Sequence, residues 1–109
     1  MLSPSADCSL GPCVKLLAGA WTLEIIFHLK GSTMHFGKLK RTLGSVSAKV
    51  LTTRLKELEE RGVIEKNEIE DTQRKVEYKL TALGRELIPI LDLMSEISIK
   101  LQKHYPDDL

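Results

Sequence analysis

The stretch Ser47-Ala-Lys-Val-Leu-Thr-Thr-Arg-Leu-Lys-Glu-Leu-Glu-Glu-Arg-Gly-Val63 decides how the rest of this sequence is read. Ser47 is a favourable N-cap, because its hydroxyl can accept from an amide in the first turn of a helix. Leu51, Leu55 and Leu58 then recur at helical spacing, and Gly62 supplies a stop after Arg61. With the leucines on one face, Lys49, Thr52, Thr53, Lys56 and Glu60 fall away from it. Arg54 borders the stripe, and Glu57, three residues on, is placed to pair with it along the helix.

Upstream, Phe36, Leu39 and Leu43 recur at i, i+3 and i+7, which predicts a helix with Lys38, Lys40 and Arg41 on its other face. Gly44-Ser45-Val46 is a tight break between the two helices. Two helices joined by a short glycine-containing turn form a helix-turn-helix. Before it, Met34-His35-Phe36 reads as a short extended piece. Residues 21–30 (WTLEIIFHLK) are apolar on almost every side and predict a helix buried all round, with Gly31 as a left-handed C-cap. Gly11-Pro12 opens a shorter helix that runs to about Leu17 and is broken at Gly19.

Downstream, residues 63–69 predict a strand, followed by a charged turn over residues 70–75. Val76, Tyr78 and Leu80 alternate with Glu77 and Lys79 as in a half-buried second strand. This hairpin follows the second helix of the motif directly, where a wing belongs. Thr81 then caps a long final helix carrying Leu83, Leu87, Ile90, Leu91, Met94, Ile97 and Leu101 on one stripe, with Pro89 expected to kink it. The expected fold is mainly α with a small β-hairpin (α+β), a winged helix-turn-helix.

The balance of charge agrees with that layout. The net charge is only +1, yet residues 35–61 hold seven Lys or Arg against three Glu, giving +4. Residues 81–109 come to −2, with three basic side chains against five acidic ones. Basic charge concentrated in this middle segment is expected of a surface that faces phosphates. Short polar and basic groups on the outer face of a second motif helix are the kind that reach base edges in a major groove. The candidate DNA contacts are therefore Ser47, Lys49, Thr52, Thr53 and Lys56, with Lys38 beside them and Arg74 and Lys75 at the wing. The alternative is a protein-binding winged-helix module of a larger assembly, which would expose apolar or acidic residues on that helix rather than Lys and Thr.

Other classes are disfavoured. No apolar run approaches the roughly 20 residues of a membrane span, so no membrane partner is expected. The start, Met1-Leu-Ser-Pro-Ser-Ala-Asp7, lacks the basic and apolar segments of a signal peptide, which makes a cytoplasmic location the expectation. His28, His35 and His104 sit in different elements and assemble no catalytic or metal constellation. Cys8 and Cys13 alone are a poor zinc signature. No enzyme, metal or cofactor is expected. The long stripe on the last helix exceeds what a small core can hide, and a second copy of the chain is its simplest cover. Leu87, Leu91, Met94, Ile97 and Leu101 are the expected interface residues.

Taken in order and spacing, these segments resemble the HxlR family of winged-helix regulators, relatives of the MarR-type proteins. The resemblance runs over residues 8–105. It is carried by Cys8 thirteen positions before Trp21, by Leu17-Ala-Gly-Ala-Trp-Thr-Leu23, Phe36-Gly-Lys-Leu-Lys-Arg-Thr-Leu43, the Ser47 to Val63 stretch, Val76-Glu-Tyr-Lys-Leu-Thr-Ala-Leu-Gly84 and Leu87-Ile-Pro-Ile-Leu91. It implies a homodimeric regulator of transcription, held by its first and last helices, that binds a pseudo-palindromic operator in double-stranded DNA. The domain then spans residues 8–105, with residues 81–104 the dimerisation helix and residues 1–7 and 106–109 flexible termini. Some family members sense oxidants or electrophiles through a cysteine at the position of Cys8. The sequence departs from the family at Ser9, where proline is common, at Ala20, where a basic residue is usual, and in lacking a tryptophan in the last helix.

Overall fold

The computed structural model describes residues 9–69 and 75–104. Its elements run α1 (Gly11–Leu17), α2 (Thr22–Leu29), β1 (Met34–His35), α3 (Phe36–Leu43), α4 (Ala48–Glu60), β2 (Ile64–Ile69), β3 (Lys75–Leu80), α5 (Ala82–Arg85) and α6 (Ile88–His104). Mainly helical and carrying a small antiparallel sheet, the chain has the expected winged helix-turn-helix architecture.

Each boundary of α4 has a local cause. At its start the Ser47 hydroxyl accepts from the Val50 amide at 3.1 Å. At its end Gly62 takes φ +75°, the left-handed region glycine enters without a Cβ clash. There the Gly62 amide donates to the Glu59 carbonyl and the Val63 amide to the Leu58 carbonyl, both at 3.0 Å. This double bond pattern closes the helix and turns the chain straight into β2. Between α3 and α4, Gly44 is also left-handed (φ +79°) and the buried Val46 anchors the turn.

The core is built from α2, α3, α4, the sheet and the start of α6: Ile25, Ile26, Leu29, Leu39, Leu51, Leu55, Leu58, Val63, Ile64, Leu80 and Leu91. Several expectations need correction. The sheet has three strands, in the order β1-β3-β2, because Met34 and His35 pair with Tyr78 and Glu77 and extend the hairpin. Gly31 does not take the left-handed conformation; Lys30 caps α2 in ordinary helical geometry. Helix α2 is not buried all round, since Leu23, Phe27 and His28 are half-buried and Glu24 is exposed, whereas Ile25, Ile26 and Leu29 are buried.

The final helix is broken rather than kinked. α5 ends at Arg85 and α6 begins at Ile88, placing Pro89 in a first turn. A proline there lacks an amide that would have gone unused, whereas in a continuous helix it would clash with the Arg85 carbonyl. No single helix among the described residues is long and apolar enough to cross a membrane.

Thr81 ties α5 to the end of α4. Its hydroxyl accepts from the Gly84 amide at 3.1 Å and faces the carbonyls of Gly62 and Val63 at 2.6 and 3.1 Å. Gly84 presses so closely on Val63 that a Cβ there would overlap the Val63 carbonyl oxygen. Because that obstacle is backbone, no side-chain rotation relieves it. Gly84→Ala should cost about 1–3 kcal/mol of stability. Urea unfolding followed by circular dichroism measures this, and an unchanged midpoint would show that the packing yields.

Candidate nucleic-acid interface

Packing Leu51, Leu55 and Leu58 inward turns a defined set of α4 side chains outward. Ser47, Lys49, Thr52, Thr53 and Lys56 are all exposed, and Lys38 is exposed on α3. Among the described residues, Lys38, Lys49 and Lys56 lie within ion-pair distance of no carboxylate.

Thr52 and Thr53 are less free than their exposure suggests. Their hydroxyls donate to the carbonyls of Ala48 and Lys49, one turn back, at 2.7 and 3.0 Å. With the proton engaged, each hydroxyl offers lone pairs outward and each side chain also offers a methyl group.

Arg54 behaves differently. Its Nε donates to the Ala20 carbonyl at 2.9 Å, and its Nη1 lies 3.1 Å from a Glu57 carboxylate oxygen. The pairing with Glu57 follows the sequence expectation. The anchor to Ala20 does not, since it joins α4 to the turn before α2, 34 residues away in the chain. At that turn Trp21 takes a left-handed backbone (φ 70°), rare for a residue with a side chain.

Arg74 and Cys8 lie outside the described residues. Lys75 opens β3, its backbone in register with Ile69, at the edge of the wing. Two residues were overlooked by the sequence reading. Lys66, on β2, and Tyr78, expected only as an inward residue of a half-buried strand, line a groove with Thr52, Leu55, Lys56 and Glu59. The signal for Lys66 was present: it is two residues beyond the buried Ile64, hence on the same face of the strand. Burial pushes the Tyr78 phenol above its ordinary pKa, and the Glu59 carboxylate pushes in the same direction.

The stripe on the last helices divides in two. Leu91 is 4% exposed and belongs to the core of the single chain, with Leu87 half-buried beside it. Met94, Ile97 and Leu101 are 42%, 44% and 44% exposed, so the chain itself leaves them uncovered. Ile90, Leu93 and Ile99 join them, as do Leu10 and Val14 at the start of the chain's helical part. Asp92 meets Lys30 at 2.7 Å, and the Lys30 ammonium lies 4.5 Å from the centre of the Phe27 ring, tying the base of α6 to α2. No group of three or more His, Cys, Asp or Glu among the described residues is arranged to hold a metal.

A helix-turn-helix backed by a β-hairpin, with lysine and threonine exposed on the second helix, defines a winged-helix DNA-binding regulator of transcription. The chain belongs to the HxlR-like helix-turn-helix family, whose model matches residues 16–105. It is 35% identical over 99 residues to an uncharacterised HTH-type transcriptional regulator of Halalkalibacterium halodurans, covering 90% of this chain and 88% of the relative. Among solved structures it is similar to a MarR-family regulator of Porphyromonas gingivalis W83 (TM-score 0.81, 34% identity, 85% of this chain and 91% of that one). It is also similar to the redox regulator HypR in its oxidised form (TM-score 0.81, 29% identity, 85% and 96%).

Arg54 and Lys49 carry the same charge on one helix and should separate by role. Arg54→Ala should lower stability by about 1–2 kcal/mol, because the anchor to Ala20 goes with the side chain. Lys49→Ala should leave the unfolding midpoint within error. Equal midpoints for the two variants would place Arg54 among the solvated residues.

Proposed function

We propose that the protein acts as a homodimer that binds operator DNA sequence-specifically, with α4 in the major groove and the wing on the flanking backbone. The observation that supports this most directly is the outer face of α4, where Lys49, Thr52, Thr53 and Lys56 stand exposed while Arg54 is held inward. Ser47, at the helix start, adds a hydroxyl to that face, and Lys38 extends the positive surface onto α3. Arg74 and Lys75 supply charge at the wing.

Reading and gripping are separable by experiment. Valine at Thr52 or Thr53 keeps the methyl and removes the hydroxyl lone pairs; alanine removes both. Alanine should cost roughly 1–3 kcal/mol for each base edge no longer reached, and should relax the preference among operator variants. Alanine at Arg74 or Lys75 should weaken operator and scrambled duplexes alike and flatten the salt dependence by about one unit for each phosphate no longer neutralised. Fluorescence anisotropy at several salt concentrations, on duplexes selected from genomic fragments, measures both. Threonine variants that bind operator and scrambled DNA with equal weakening would sink the assignment. A protein that binds no duplex but captures a protein partner would instead be an assembly module.

The dimer rests on the outer half of α6. Leu91 is unsuitable for testing it, because a charge there would enter the core of the single chain. Met94→Glu with Ile97→Glu places charge only on the uncovered face. The parent should be dimeric by light scattering and the double variant a folded monomer. A double variant that stays dimeric moves the interface elsewhere.

An oxidant response through Cys8 would extend this reading, supported by the structural similarity to HypR, a redox regulator. A reactive thiol needs surroundings that favour the thiolate. Peroxide or a quinone should then change DNA affinity in the parent and leave Cys8→Ser unaffected. A response that survives in Cys8→Ser assigns sensing to another group.

A further inference from the structure

A groove of about 220 Å³ lies between α4 and the wing hairpin. Its α4 wall is made by Thr52, Lys56 and Glu59, with the buried Leu55 at its base. The opposite wall is made by Lys66 of β2 and Tyr78 of β3, which are direct cross-strand partners. Thr52 and Lys56 are one helical turn apart, so both project from the same side of α4. Among the described residues neither Lys56 nor Lys66 is ion-paired.

We propose that this groove seats one phosphodiester of the DNA backbone, held by Lys66 and the Tyr78 hydroxyl on one wall and Lys56 on the other. The inference rests on the DNA-binding reading above and adds Lys66 and Tyr78 to it. Three observations point to a backbone phosphate. The walls are the two elements assigned to DNA, and Thr52 belongs both to the groove and to the outer face of α4. The two lysines against one glutamate leave a net charge of +1, which a monoanionic phosphodiester neutralises. The Tyr78 phenol, protonated at neutral pH as any unperturbed tyrosine is, offers a hydrogen-bond donor on the wall opposite Lys56.

The test uses a fluorescein-labelled duplex of random sequence, with affinity followed by anisotropy across a range of salt. Lys66→Gln should weaken binding roughly three- to tenfold and flatten the log–log salt slope by about one unit per subunit. Tyr78→Phe keeps the ring and its packing. It should weaken binding a few-fold at every salt and leave the slope unchanged, because the phenol that it removes is uncharged. Lys79→Gln is the control, since Lys79 lies on the other face of β3 in an ion pair with Glu65 at 3.2 Å. It should bind as the parent does. Thermal unfolding of each variant confirms that all are folded.

If Lys66→Gln behaves like Lys79→Gln while Lys49→Ala loses affinity, the groove proposal is overturned and the DNA reading survives. A parent that binds no duplex overturns both. Replacing chloride with inorganic phosphate at equal ionic strength should weaken the parent more than Lys66→Gln, because the free anion competes for the groove. Equal weakening of the two would mean that no DNA phosphate sits against Lys66 and would overturn the assignment.

Discussion

The inward packing of Leu51, Leu55 and Leu58 is the constraint on which the rest of the structure depends. Each buried leucine contributes about 1.5–3 kcal/mol over its exposed state, so turning α4 by even one residue would forfeit several kcal/mol. Interactions that the outer threonines and lysines make within the chain are worth far less. The apolar face therefore fixes the rotation of the helix, and the lysines of the outer face are free of structural duty. Arg54, at the boundary between them, is recruited to the scaffold by the Ala20 carbonyl.

The same logic governs the junction after α4. The left-handed turn at Gly62 delivers the chain into β2 with Val63 and Ile64 already buried. The Thr81 hydroxyl and the absent side chain of Gly84 then let α5 close on that turn. One small region thus joins the end of the second motif helix, the root of the wing and the start of the C-terminal helices.

Much of this was legible in the sequence where a local pattern coincides with a physical need. Ser47, Gly44 and Gly62 announce α4 because caps and left-handed turns are chemically selective. The leucine period marked the buried face, and the alternation from Val76 to Leu80 marked the second wing strand. What escaped depends on distant partners. Met34 and His35 become a third strand only because β3 offers an open edge to them. Leu91 looked like one more residue of an exposed stripe, but it packs into the core of its own chain. Tyr78 shows in the sequence only as an inward residue of the Val76–Leu80 alternation; that it lines a groove with Lys56 and Lys66 follows from strand register, not from its own neighbours. Pro89 signalled a disturbance in the last helix, and the break fell just before it, where the missing amide costs nothing.

That break has a geometric consequence. α5 is fastened to the wing by Thr81 and Gly84, whereas α6 is fastened to α2 by Lys30 and Asp92. Only Glu86 and Leu87 separate the two helices. In a two-fold assembly built on α6, successive major grooves on one side of a duplex lie about 34 Å apart, and the two recognition helices must match that spacing. The direction in which α6 leaves the body sets their separation. In such an assembly the two-residue joint would act as the ruler for half-site spacing, so that changes at Glu86 or Leu87 would alter which operators fit while leaving the outer face of α4 unchanged.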